Sequence, residues 1–158
     1  MARSRFIILH ILLGVLVYAL CACQQVGEVE KALLGKKTVK VSSTDPWTDT
    51  DFDLEIGQGL QIRASGEVLI NEETVSTPNG VDDPKVNAVT KVLLRARNVI
   101  YHAGHGALIG KIGEDGEPFL VGEELTFTAE SAGRLYLGVN DNDTKNNQGE
   151  YVAKVALK

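Results

Sequence analysis

After residue 38, hydrophobic and polar positions alternate with period two along most of the chain. Val39 and Val41 alternate with Thr38, Lys40 and Ser42, and Asp45-Pro46 then breaks the run. Phe52, Leu54 and Ile56 alternate with Asp51, Asp53 and Glu55; Leu60, Ile62 and Ala64 alternate with Gln61, Arg63 and Ser65. Such alternation predicts strands with one face buried, and the intervening Gly57-Gln58-Gly59 predicts a hairpin turn. Val92–Ala96 and Ala107–Ile112 are more continuously apolar, which predicts strands buried between two sheets. Glu124–Ala129, Arg134–Val139 and the face formed by Tyr151, Ala153, Val155 and Leu157 complete the pattern. No segment carries a long helical period. Many short strands joined by Gly-rich turns predict an all-β antiparallel sandwich. The stretch from Asn71 to Lys91 has little periodicity and holds Thr77-Pro78-Asn79-Gly80 and Asp82-Asp83-Pro84. It reads as a long loop, and a long loop inside a compact domain is usually functional or mobile.

The N-terminus follows another pattern. Arg3 and Arg5 precede an apolar run from Phe6 to Leu20, interrupted by His10 and Gly14. This reads as a secretory signal peptide over residues 1–22, and the run is short for a membrane-spanning helix. The ending Leu20-Cys21-Ala22-Cys23 resembles a bacterial lipobox. That resemblance implies cleavage before Cys23 and lipidation of Cys23; an uncleaved anchor is the alternative. Gln24 follows the cysteine, where the usual sorting rule puts Asp to retain lipoproteins in the inner membrane, so an outer-membrane lipoprotein is expected. Several acyl chains anchor stably where one is marginal. Residues 23–37 read as the lipidated Cys and a tether, with Val26, Val29 and Leu33 on one face of a short helix. The folded domain is expected over 38–158.

Composition narrows the function classes. A chain of 158 residues with 44% hydrophobic and 23% charged residues supports one domain and argues against disorder. There are 16 basic and 21 acidic residues, a net charge of −5. Removal of residues 1–22 takes Arg3 and Arg5 and no acid, leaving 14 basic against 21 acidic, a net −7. No basic footprint for nucleic acid exists, and the net charge gives no attraction to anionic lipid. Two Cys and three His exclude a disulfide framework and most zinc or iron–sulfur sites.

The densest chemistry lies between the last two predicted strands. In Asn140-Asp141-Asn142-Asp143-Thr144-Lys145-Asn146-Asn147, six of eight residues are Asn or Asp. Short oxygen-bearing side chains on one loop can converge on a hard cation such as calcium, which takes six to eight oxygen ligands. The spacing is not that of an EF-hand. A polar turn is the other reading, because Asn and Asp favour such backbones.

The chain from Thr38 to Lys158 resembles the PA-IL family, the calcium-dependent galactophilic lectins of bacteria. The resemblance is carried by Trp47, Gly57-Gln58-Gly59, Ala64-Ser65-Gly66, Gly106-Ala107-Leu108-Ile109-Gly110-Lys111-Ile112-Gly113, Asn140-Asp141 and Asn146-Asn147-Gln148-Gly149. It implies a small jelly-roll β-sandwich. It implies that Asp141 binds calcium and sugar together, that Asn146 and Asn147 bind the metal, and that Asn146 also touches the sugar. Thr144 is the nearest match to a backbone-carbonyl ligand that also faces sugar, although the loop is two residues shorter than in the galactose binders. A further carbonyl ligand falls near Ile70 or Asn71, with Asn71 taken as the candidate. The galactose binders place a His and a Gln from the middle loop against the sugar. Neither residue type occurs between 71 and 98 here. Asp82 and Asp83 lie in that region, either as replacement sugar contacts or as solvated side chains.

Other constellations are weaker. His102 and His105 are three apart, but Gly104 and Gly106 argue for a strand entrance rather than a metal-binding helix. No Gly-x-Ser-x-Gly motif supports a hydrolase, and no enzyme is expected. Trp47 and Tyr136 are expected to pack at the core or an edge. The resulting expectation is a lipid-anchored envelope lectin with a Ca2+ cofactor, a galactoside-type ligand and a possible homo-oligomeric state. The alternative is an envelope structural or interaction lipoprotein of the same fold without sugar binding.

Overall fold

A computed structural model describes residues 35–71, 73–81 and 86–158. Residues 1–34, with the signal peptide, Cys23 and most of the tether, lie outside the described residues, as do Asp82 and Asp83. The compact unit runs from Lys36 to Lys158.

Among the described residues ten strands form two antiparallel sheets: β1 Lys36–Ser42, β2 Thr48–Leu54, β3 Gly59–Ser65, β4 Val68–Ile70, β5 Thr74–Ser76, β6 Leu108–Ile112, β7 Phe119–Leu120, β8 Glu124–Thr128, β9 Gly133–Val139 and β10 Gln148–Leu157. One sheet is six-stranded, in the order β5-β4-β10-β3-β8 with β1 on the free side of β10. The other is four-stranded, β2-β9-β6-β7. Strand β10 organises the larger sheet. It pairs with β1 from Ser42↔Glu150 to Lys36↔Ala156, and on its other side with β3 and then β4. The period-two pattern places Val39, Val41, Leu60, Ile62, Tyr151, Ala153 and Val155 inward from this sheet and Phe52, Leu54, Leu135, Leu137 and Val139 inward from the other. Together they make a single apolar core of the kind a sandwich requires. This is the all-β sandwich that the alternation predicts.

Three expectations are corrected. The segment Val92–Ala96 is not a buried strand. It belongs to the one described helix, α1, Ala88–Arg95. The Asn87 side chain caps α1 by accepting from the Thr90 backbone N–H at 2.9 Å. A five-residue, mostly apolar run cannot distinguish strand from helix, and here Val89, Val92 and Leu93 remain 70%, 55% and 65% exposed. Gly57-Gln58-Gly59 does not close a hairpin. Strand β2 pairs with β9 and β3 with β10 and β8, so this turn carries the chain from one sheet to the other. Ile56 lies beyond the end of β2 and is exposed. The stretch 71–91 is not all loop, since it contains β5 and the start of α1.

On β2, Asp49, Asp51 and Asp53 converge on Arg134 of β9 across a register shift. Asp51 adopts a φ of 53° there, and its N–H is held by the Asp49 carboxylate at 2.7 Å. These ion pairs are exposed and contribute little to stability. Trp47 and Tyr136, both half-buried, lie against the Lys111 ammonium, which stands 4.8 and 5.5 Å from the two ring centroids. Trp47 also lies over Gly138. A Cβ on Gly138 would stand 2.5 Å from the Pro46 carbonyl oxygen and 3.0 Å from the indole ring. Gly138→Ala is therefore expected to destabilise the fold by about 1–3 kcal/mol, because the Pro46 backbone must shift. A thermal melt should show a Tm lower by on the order of 5–10 °C.

Candidate metal centre

The Asx-rich loop leaves β9 at Val139 and enters β10 at Gln148, so it caps one end of the sandwich. Three other segments meet it there: Ser43 after β1, Asn71 after β4, and residues 97–105 before β6. Each is held by a specific side chain.

Asn140 is fully buried and staples the 100–104 turn. Its Oδ1 accepts from the Ile100 N–H at 2.8 Å, while its Nδ2 donates to the carbonyls of Ile100 and Gly104 at 3.1 and 2.9 Å. The Asn142 N–H donates to the Arg97 carbonyl at 2.7 Å, and its amide donates to the Asn98 carbonyl at 3.2 Å. Gly104 allows the 77–80 turn to press close, since a Cβ there would meet the Asn79 carbonyl oxygen at 2.6 Å. The Tyr151 hydroxyl lies 2.8 and 2.9 Å from the carbonyls of Thr77 and Gly106, tying this corner to β10.

Within this frame Asp141 and Asn147 are each 3% exposed. The Asn147 Nδ2 donates to the Ser43 carbonyl at 3.2 Å and to Asp141 Oδ2 at 3.1 Å. Asp141 Oδ1 accepts from the Asp143 N–H at 3.0 Å. The Asn146 Nδ2 donates to Asn71 Oδ1 at 2.9 Å and to Asp143 Oδ2 at 3.3 Å. Both amide nitrogens are thereby committed, which fixes which way the amides point. The amide oxygens, Asn146 Oδ1 and Asn147 Oδ1, are buried and have no hydrogen-bond partner. Buried polar atoms are normally paired, so two bare carbonyl-type oxygens in one turn need an explanation. Among the described residues Asp141 has no Lys or Arg ion partner either. A hard cation would satisfy both deficits. The donors are amide, carboxylate and backbone oxygens, which suit calcium rather than zinc or copper. No cluster of three His, Cys, Asp or Glu suited to a metal occurs among the described residues. Any ion here must therefore rely on the Asn amides.

The structure thus brings together four of the residues singled out by sequence: Asp141, Asn146, Asn147 and Asn71. Asn71 adopts a left-handed φ of 53°, and its side chain reaches the loop directly. Thr144 lies in the same single 3-10 turn, Thr144–Asn146, and is buried; its carbonyl accepts from the Asn147 N–H at 3.1 Å. Four residues at this site carry no signal in the strand pattern: Ser43, Arg97, Asn98 and His105. Asn98 Oδ1 pairs with His105 Nδ1 at 2.8 Å, while the Asn98 amide donates to the Ala103 carbonyl. Burial holds the His105 imidazole below its ordinary pKa, with Asp141 opposing and Arg97 adding to the shift. His102 takes no part in this network and is exposed.

An apolar hollow of about 400 Å³ lies at the opposite end of the sandwich, beside Phe119 and Phe127. Its polar lining residues, Glu117, Thr128, Glu130 and Ser131, are all exposed, so it offers no comparable donor set.

No family model and no curated protein matches the chain. Among solved structures, the N-terminal domain of EclA, described as a PllA-like lectin, is similar over 77% of this chain and 95% of that one, with a TM-score of 0.59 and 21% identity. A conserved protein from Bacillus anthracis str. Ames, described as functionally unknown, aligns over 78% of this chain and 22% of its own, with a TM-score of 0.39 and 14% identity. The likeness to the EclA domain shows a shared β-sandwich fold, the one implied by the PA-IL resemblance.

Proposed function

We propose that this protein is a calcium-dependent carbohydrate-binding module of the cell envelope, held to a membrane, the outer membrane by the sorting argument, through lipidated Cys23. The observation that carries the reading is the pair of buried, unpartnered oxygens, Asn146 Oδ1 and Asn147 Oδ1, beside the buried carboxylate of Asp141. The lectin fold neighbour adds support at the level of architecture.

Asp141, Asn146 and Asn147 would hold the ion, with Thr144 and Asn71 as the nearest sources of further oxygen ligands. When bound, calcium supplies open coordination positions that two vicinal sugar hydroxyls can fill in place of water. The chain's own residues do the rest. The Asp141 carboxylate accepts hydrogen bonds from the hydroxyl protons. Asn147 orients that carboxylate through its Nδ2 and is itself anchored on the Ser43 carbonyl. Asn140 and Asn142 hold the 97–105 segment against the loop, so the binding surface is formed before ligand arrives. A sugar held mainly through two hydroxyls buries few of its atoms. Affinity per site is expected to be weak and to gain from several copies on one envelope.

The reading is tested on a glycan array in calcium and again in EDTA. Signal on galactoside-type glycans that disappears in EDTA is the expected result. Absence of signal in both buffers would favour an envelope interaction lipoprotein of the same fold, a reading supported by the lack of His and Gln between residues 71 and 98.

A further inference from the structure

We infer that the preferred ligand of this site is an acidic sugar, a uronate, and that Arg97 reads its carboxylate. The inference rests on the calcium and sugar reading above and names the ligand class. Arg97 is fixed at the site by its backbone: its carbonyl accepts from the Asn142 N–H at 2.7 Å and its N–H donates to the Leu94 carbonyl at 3.0 Å. Its guanidinium is exposed at the rim, where Nη1 makes one long contact of 3.4 Å to Asn71 Oδ1. The same Asn71 oxygen accepts from Asn146 at 2.9 Å, so the cation stands one shared acceptor away from a metal-binding amide.

Two observations separate Arg97 from an ordinary surface arginine. Arg63 and Arg134 are engaged by carboxylates, whereas Arg95 and Arg97 have no carboxylate partner among the described residues, and of these two it is Arg97 whose guanidinium contacts a residue of the site, Asn71. Charge at the site is also unbalanced. Asp141 and Asp143 are the two acids of the loop and Lys145 its one base, so the loop with one divalent ion carries a net charge of +1. Arg97 adds a second positive charge at the rim of the site. A neutral galactoside leaves that charge without a counterpart, and a sugar carboxylate supplies one. A guanidinium fork matches a carboxylate in geometry and makes charge-assisted hydrogen bonds stronger than those to hydroxyls. Arg97 follows α1 directly, in the middle segment from which the PA-IL resemblance leads one to expect neutral His and Gln contacts.

The test compares methyl galactoside with the methyl glycoside of galacturonate by calorimetry on the full chain, at fixed free calcium. The galacturonate is expected to bind about tenfold more tightly, with a preference that shrinks as salt rises. Arg97→Gln should bring the two sugars to within about twofold of each other, and Arg97→Lys should restore part of the preference. Calcium titration of Arg97→Gln reports whether the metal loop is intact, and removal of a nearby positive charge should not weaken it. Equal binding of both sugars by the wild-type protein overturns this inference and leaves the calcium and sugar reading standing. A uronate preference that survives in Arg97→Gln overturns the assignment to Arg97. Failure of both sugars to bind in calcium overturns the inference together with the reading beneath it.

Discussion

Replacing Asp141 by Asn should weaken calcium binding by about 100-fold or more while leaving the calcium-free protein about as stable as the wild type. The two halves of this result have one cause. Asp141 is a buried carboxylate with no cationic side chain paired to it among the described residues. Burying an unpaired charge is unfavourable, so removing the charge relieves the apo state. The same charge is the strongest ligand in a set otherwise made of neutral amide and backbone oxygens, and ligand charge is a main determinant of calcium affinity. Asn at this position keeps the shape of the loop but sets an NH2 against either the Asp143 N–H or the Asn147 amide, each of which now donates to a carboxylate oxygen, and this lost bond offsets the relief. At calcium 100-fold above its Kd, the wild-type protein should gain about 2.7 kcal/mol of stability and the variant almost none. Urea denaturation with and without calcium checks both halves. A variant stabilised by calcium as strongly as the wild type would remove Asp141 from the site.

The second large effect is expected at Asn140. Asn140→Leu keeps the branching of the side chain but strands the Ile100 N–H and removes one of the two hydrogen bonds that the carbonyls of Ile100 and Gly104 each accept, leaving them those from the Ala103 and Ala107 N–H groups. Leaving a buried N–H unpaired costs about 1–3 kcal/mol before relaxation, and each lost second bond to a carbonyl about 0.5–1.5 kcal/mol. Part of that is recovered if the 100–104 turn swings toward water, so a loss of about 2–4 kcal/mol in total is reasonable. Urea denaturation should show a lower midpoint with little change in slope. Calcium affinity should fall as well, because the Arg97 and Asn98 carbonyls that position Asn142 belong to the same stapled segment. A variant with wild-type stability would mean that this turn does not depend on the staple.

How far the sequence discloses this site follows from what each residue does. Asp141, Asn146 and Asn147 are visible because a turn needs one or two Asx residues and this loop has six in eight positions. The strands around them are visible because one face of each is buried, which is what period-two alternation records. Ser43 contributes a backbone carbonyl, Arg97 contributes a carbonyl and a side chain, and Asn98 orients a histidine. None of these roles alters local periodicity, and each depends on segments brought together only by the fold. The α1 helix is misread for a related reason. Its apolar residues are not buried against the domain, so their spacing reports neither sheet pleat nor a packed helix face. The Gly57-Gln58-Gly59 turn looks the same in sequence whether the next strand pairs with the last one or joins the opposite sheet.

The most direct test of the metal centre is a crystal structure of the protein grown with calcium, read at the calcium anomalous peak. One peak should lie at about 2.3–2.6 Å from Asp141, Asn146 Oδ1 and Asn147 Oδ1 together. A well-ordered loop with no peak, and with those two amide oxygens accepting from water or protein N–H groups instead, would contradict it.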